Sequence, residues 1–341
     1  MSRLTVNVGS TVGGFVLSIV VLGALLAPIL ASHEPDFRFD RLLNAPPTAV
    51  HIVDSNGRVR APFVHPWIRV NQLEQQYEPD RVTEVPLVWF AGGRLVQSSD
   101  EAHAPFLLLG SDSFGRDVFS RLLFGARVSL GLSITAALFA MCFGGALGAV
   151  AGYVGGVTDV LLMRLTEFVI VLPAMYVVLA LRAVMPLVLT SGEVFLMLLA
   201  IFAVLGAPGI ARGVRAIVRS ERHLDYAAAA SSLGASHTRL LVRHLLPSAR
   251  GFLATQATLL MPAFIIAEAT LSFVGLGFPD PVPSWGTMLH EASNLRALAD
   301  FPWLLSPAAA MFLVVFSLNV LLQRGPNRAL RSTTSLQSIR A

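Results

Sequence analysis

Apolar and polar stretches alternate along the chain. A helix crosses a bilayer with about 20 apolar residues, in a range of roughly 17–25. Six runs reach or approach that length: Val12–Ala31, Ser129–Ala151, Leu165–Val184, Val194–Ile210, Phe252–Val274 and Trp303–Leu322. The polar stretch after the first run has a shorter period. Val50–Val53, Asp54-Ser55-Asn56-Gly57 and Arg58–Val64 read as strand, turn and strand, because Asn-Gly supplies the positive φ of a tight hairpin. Val85–Phe90, Ala91-Gly92-Gly93 and Arg94–Gln97 repeat that pattern. The expectation is an all-α polytopic membrane protein with about six transmembrane helices. A small β-rich extracytoplasmic insert separates the first helix from the second. The segments are then 1–31 (tail and first helix), 32–127 (insert and interfacial stretch), 128–322 (five-helix core) and 323–341 (tail).

Composition agrees with the pattern. Of the 341 residues, 54% are hydrophobic and only 13% charged, where a soluble domain carries about a quarter charged. The mean hydropathy is +0.67. The first run is longer than the apolar core of a cleaved leader, about 7–15 residues, and no small-x-small site follows it. It is therefore read as a retained anchor. All 25 basic residues are Arg. With no Lys there is no P-loop lysine and no Schiff-base nucleophile, so any ATP hydrolysis belongs to another chain. Cys142 is the one cysteine, which rules out an internal disulfide. It reads as a small buried apolar residue.

The arginines set an orientation. Arg212, Arg215, Arg219, Arg222, Arg239, Arg243 and Arg250 crowd the stretch between the fourth and fifth runs, and Arg324, Arg328, Arg331 and Arg340 follow the sixth. The stretch after the third run has only Arg182 against Glu193. The stretch after the fifth has Arg296 against Asp280, Glu291 and Asp300. Positive-inside bias puts both termini and the 212–250 stretch in the cytoplasm. A basic pI near 9.9 then reports topology, and no nucleic-acid partner is expected.

Within 212–250, Tyr226–Leu233 is rich in Ala and favours a helix. Gly234 suits its C-terminal stop. Ser236 can cap a second helix over Arg239–Leu246, with Pro247 closing it. A helix, a break and a second short helix can form a docking element. The same pattern can also simply link two spans.

The residues Asp225, Tyr226, Ala228, Ala229, Ala230, Gly234, Arg243, His244 and Pro247 resemble the EAA loop of binding-protein-dependent ABC importer permeases. Ala228, Ala229 and Ala230 occupy the Glu-Ala-Ala positions, so Ala228 stands where that family has Glu. Three further blocks resemble the peptide-type permeases in order: Leu109–Leu130; Gly152–Gly156 with Asp159 and Met163–Glu167; and Glu268–Gly277 with Pro283–Gly286. The resemblance is to the second permease subunit of dipeptide, oligopeptide and nickel importers. The insert Phe37–Ala104 is longer than in simple members, and the tail after Gln323 lacks an acidic ending. The resemblance implies an inner-membrane transport subunit without a cofactor. It implies a second permease subunit, two ATP-binding-cassette ATPases docked on the loop, and a soluble extracytoplasmic substrate-binding protein. The cargo would be peptides, or alternatively nickel, opines or other small solutes.

Other residues keep two readings. Glu268 lies in the fifth apolar run, where a carboxylate costs about 2.5–3.5 kcal/mol on insertion scales. It either lines the translocation path or bonds a neighbouring span. Asp112, Gly115, Arg116, Asp117 and Arg121 precede the second run and, with Arg127, suit an amphipathic helix at the outer interface. That helix would meet a binding protein or anchor the surface. Glu167 pairs locally with Arg164. Gly144, Gly145 and Gly148 favour close helix packing. The eight histidines show no metal-ligand spacing. An intramembrane protease would need a catalytic dyad at depth, and no His lies in an apolar run. A membrane scaffold without transport is the remaining alternative.

Overall fold

In the computed structural model, residues 2–322 are described, except 55–56, 185, 187–188 and 294–298. Ser55 and Asn56 of the expected turn, Arg296, and the tail 323–341 with its four arginines lie outside the described residues. Helices dominate. Among the described residues, four are long and apolar enough to cross a membrane: Val118–Val154, Ser191–Glu221, His237–Phe273 and Pro302–Leu321. A bent pair makes up to five.

The first apolar run forms α1 (Ser2–Leu25) and the short α2 (Ala27–Leu30). Within α1 the apolar stretch Thr11–Leu25 is shorter than the four spans. The third run predicts one helix over Leu165–Val184. Instead α4 (Gly156–Val171) and α5 (Ala174–Val184) meet at 86°. Pro173 is the cause. The residue before a proline is driven out of the helical region, and Leu172 is extended at φ −75° and ψ 113°.

The chain divides into two compact units. One takes in Leu130–Glu268 together with the described residues of 2–14 and 315–322. It contains most of α3 (Val118–Val154), all of α6 (Ser191–Glu221), and most of α9 (Arg250–Phe273). Here α3 and α6 touch backbone to backbone. A Cβ on Gly144 would lie 2.5 Å from the Ala207 carbonyl oxygen, and one on Gly152 would lie 2.6 Å from that of Arg215. Gly148 meets Ala211 in the same way, whereas a Cβ on Gly145 would point into open space. Small residues permit such an approach where lipid supplies no hydrophobic drive. Phe202 of α6 stacks on Phe264 of α9, with centroids 5.2 Å apart. Pro208 and Pro262 sit inside α6 and α9, as proline can in spans whose neighbours satisfy the backbone. Cys142 is exposed on α3 and not buried as expected. Its neighbour Phe143 is exposed too, so this face of the helix turns away from the chain's own core.

The other unit takes in Phe15–Ser129 and Ala269–Val314. Its β-rich part has a four-stranded sheet in the order β1 (His51–Val53), β2 (Val59–Val64), β5 (Val85–Trp89), β6 (Val96–Ser98). Both expected hairpins are present as antiparallel pairs, β1 with β2 and β5 with β6. A third hairpin, β3 (Trp67–Asn71) with β4 (Gln76–Pro79), was not foreseen. Its turn uses Gln75 at φ 53° where glycine would be usual. Val64, Val85, Leu87, Ala104 and Phe106 form the core beneath the sheet. α10 (Trp285–Glu291) begins at Ser284, whose Oγ accepts from the Thr287 amide at 3.1 Å. Trp285 is 1% exposed and donates through Nε1 to the Leu122 carbonyl at 3.1 Å. α11 (Ser306–Leu322) follows.

Candidate functional site

The arginine-rich stretch expected as a loop starts inside a helix. α6 runs to Glu221, so Arg212, Arg215 and Arg219 are helical. After the cap at Arg222 comes α7 (Asp225–Ser232). Only Ala227 on α7 is buried. Asp225, Tyr226, Ala228 and Ala229 are exposed, Ala230 is half-buried, and Leu233 is 89% exposed. Gly234 ends the helix at φ +81°. Its amide donates to the Ser231 carbonyl and that of Ala235 to the Ala230 carbonyl, the paired bonds of a Schellman stop. Ser236 then caps α8 (His237–Leu240), its Oγ accepting from the Arg239 amide at 3.3 Å.

Pro247 does not close this second helix. The chain passes through a π turn at Leu241–Leu245 and a 3-10 turn at Leu246–Ala249 into α9. Pro247 stands at the start of the 3-10 turn, where a missing N–H leaves no bond unmade. Leu245 and Ala249 are fully buried and anchor the crossing. Arg243 and Pro247 are exposed, and His244 is half-buried.

Side chains tie this element to the helix ends around it. The Tyr226 hydroxyl donates to Glu221 Oε2 at 2.5 Å. Partial burial, helped by that carboxylate, pushes the Tyr226 phenol up to about 12, so it stays a donor at physiological pH. The Tyr153 hydroxyl at the end of α3 meets His237 Nδ1 at 2.5 Å. Arg222 donates to the Tyr153 carbonyl and lies 5.6 Å from the Tyr153 ring. Arg215 forks onto Asp159 of α4, with Nη2 to Oδ2 at 2.6 Å, and Arg219 reaches the same carboxylate at 3.6 Å. Arg164 pairs with Glu167 at 2.7 Å, as the spacing suggested.

The residues before the second run behave differently from the amphipathic surface helix expected of them. Arg116 and Arg121 are 0% and 1% exposed. Arg116 donates from Nε to Asp112 Oδ2 at 2.7 Å and from Nη1 to Asp280 Oδ1 at 2.6 Å, and its Nη2 lies 2.8 Å from Glu291 Oε2. Arg121 donates to Glu291 Oε1 at 2.9 Å and to the Pro35 carbonyl at 3.3 Å. Burial alone would lower the Arg116 pKa, but Asp112 and Glu291 hold it above the ordinary value. Asp117 is fully buried beside His33 and Ser120. Gly115 turns the chain at φ +74°, where a Cβ would strike the Phe39 backbone. Charges so enclosed cannot serve as a surface stripe. Phe114 remains 45% exposed, flanked by Arg116 at 4.6 Å and Arg38 at 5.5 Å.

Glu268 lies on α9 with no exposed surface. Among the described residues no group of three or more His, Cys, Asp or Glu is placed to hold a metal ion.

Comparison with known proteins bears on the helical element. The profile of a family described as a binding-protein-dependent transport system inner membrane component matches residues 144–325, a stretch that contains α7, α8 and Glu268. The chain is 36% identical over 212 residues to the oligopeptide transport system permease protein OppC of Bacillus subtilis, covering 62% of this chain and 67% of that protein. It is 34% identical over 233 residues to the glutathione transport system permease protein GsiD of Pectobacterium atrosepticum, covering 68% and 74%. It is 37% identical over 214 residues to the dipeptide transport system permease protein DppC of Bacillus subtilis, covering 62% and 64%.

Proposed function

Because this chain belongs to the family of binding-protein-dependent transport system inner membrane components, we propose that it forms half of the translocation path of a peptide importer. It is a permease subunit of an ATP-binding-cassette importer and not an enzyme. It is a multi-pass bacterial membrane protein that works with ATPase and substrate-binding partners. The peptide cargo follows from the oligopeptide and dipeptide systems it is similar to. The other half of the path is a second, related permease. α1 makes the first of six crossings, both termini are cytoplasmic, and the β-rich insert faces outward to the binding protein. Glu268 has no exposed surface on this chain, which supports the second of its two readings, a polar bond to a neighbouring span at bilayer depth, over a side chain that lines the path.

One observation carries the coupling assignment. α7 and α8 form an exposed, capped helix–Gly–helix element that is tied through side chains to the ends of α3 and α6. Two ATPase subunits dock beneath the two permeases, and the 225–247 element seats in a groove of one. The small side chains Ala228, Ala229 and Ala230 let the motor approach closely, and exposed Leu233 offers an apolar anchor. The Arg116 cluster plays a different part. Asp112, Gly115, Arg116, Asp117 and Arg121 hold the outer surface in shape, and Phe114 is the residue that a binding protein meets.

The coupling role is tested by deleting 229–234 in the complete importer. The variant inserts into membranes normally, yet uptake of a labelled dipeptide is abolished while wild-type uptake proceeds. Uptake at the full rate by the deletion variant would refute the coupling role.

A further inference from the structure

We infer that Tyr153, His237 and Arg222 are positioning residues that carry movement of the docking element into span α3. The inference rests on the coupling role proposed above.

α8 is the first turn of the helix that runs from His237 to Phe273. It continues directly into a π turn and a 3-10 turn. Such irregular turns inside a helix mark places where the backbone deviates for function. α7 is exposed along nearly its whole length. α7 therefore has little packing of its own, whereas α8 is anchored through buried Leu240 and Leu245, so a side-chain tie on α8 joins the element to a helix that is itself held. One such tie crosses from α8 to the end of α3. His237 Nδ1 and the Tyr153 hydroxyl are 2.5 Å apart, and the rings meet edge to face with centroids 5.8 Å apart. Arg222, at the C-cap of α6, donates to the Tyr153 carbonyl and faces the Tyr153 ring. Tyr153 is thus gripped on one side by the docking element and on the other by α6.

The same α3 presses its glycines onto α6. Displacing His237 therefore acts on a helix pair packed backbone to backbone, and such a pair cannot absorb the displacement by bending side chains. Tyr226 supplies a second tie, but it reaches back to Glu221 at the end of α6, just five residues away. It steadies α7 without reaching α3. The Tyr153–His237 contact spans 84 residues of sequence and is the tie that joins the docking element to α3.

A merely structural contact would alter stability and leave the ratio of uptake to ATP hydrolysis alone. The experiment reads that ratio in the complete importer, reconstituted in proteoliposomes with a labelled dipeptide as probe. Tyr153→Phe removes only the hydroxyl, and His237→Leu removes the acceptor. Each is expected to lower peptide taken up per ATP hydrolysed by about fivefold, the factor that one hydrogen bond of roughly 1 kcal/mol commands. ATP hydrolysis itself persists. The double variant loses no more than either single one, because both break one contact. His237→Gln restores an acceptor and most of the ratio.

A cargo-independent measurement accompanies it. In a Cys142→Ala background, spin labels at Thr238→Cys and Val150→Cys keep one separation through the ATP cycle of the wild-type linkage. With His237→Leu the separation widens in one nucleotide state. Unchanged ratios in both single variants, additive losses in the double variant, or no rescue by glutamine would each overturn the inference. If deleting 229–234 leaves uptake intact, the docking assignment itself has failed. If the deletion abolishes uptake and the Tyr153 and His237 variants do not lower the ratio, only the linkage is wrong.

Discussion

In the unit built on Phe15–Ser129 and Ala269–Val314, Arg116 and Arg121 are almost fully buried and share three carboxylates. In the unit built on Leu130–Glu268, Arg164 and Arg219 are 76% and 63% exposed, and each meets one carboxylate. The residue type is the same. What differs is what carries the packing. In the first unit, the charges are interior structure that joins the 112–121 segment to Asp280 and Glu291. In the second, α3 and α6 meet glycine against alanine backbone, and the arginines with described ion pairs lie toward helix ends, although Asp159 and Glu268 are themselves buried. A buried charge is kept only if every partner stays in place, which makes a rigid joint. An exposed pair contributes little to stability, which leaves its arginine available to a partner.

The largest expected effect is at the buried cluster. Arg116→Ala removes one of the two buried cations that Asp112 and Glu291 share and should cost about 3–5 kcal/mol, seen as lower unfolding stability of the detergent-purified chain. A loss similar to that of an exposed arginine would erase the contrast. Next comes Gly148→Leu, which forces α3 off the Ala211 backbone and should cost about 1–3 kcal/mol in the same assay. If it is tolerated, helix contact is not what holds the second unit. Gly234→Ala puts a side chain at a positive φ, at a cost of roughly 1–2 kcal/mol. Limited proteolysis should find the 225–240 element loosened and the buried cluster untouched. Arg219→Ala should change stability by less than about 1 kcal/mol, and a larger loss would show that the exposed arginines also bear structure.

The contrast also explains what the sequence could reveal. The α7 stop at Gly234 and the Ser236 cap were legible because both are local: each bond joins residues at most five apart. The hairpins β1–β2 and β5–β6 were legible for the same reason. The Pro173 break was equally local, since the proline rule applies to the residue just before it, but the run of apolar residues hid it. The partners of Arg116 were out of reach. Asp280 is 164 residues away and Glu291 lies 170 residues from Arg121, and no periodicity encodes such a meeting. The Asp159–Arg215 fork and the Tyr153–His237 contact were missed likewise. They cross 56 and 84 residues. The chemistry of these residues was visible, and their company was not.

The contact of α3 with α6 has one more consequence. Gly144, Gly148 and Gly152 recur every four residues, and the residues they meet, Ala207, Ala211 and Arg215, recur at the same interval. The matching intervals make the interface a rack with equal teeth. A slip of four residues, about 6 Å, would set Gly148 against Ala207 and Gly152 against Ala211 with a small residue again at each contact. Intermediate positions would drive a larger residue into the groove. The spacing alone thus confines close backbone contact to four-residue steps.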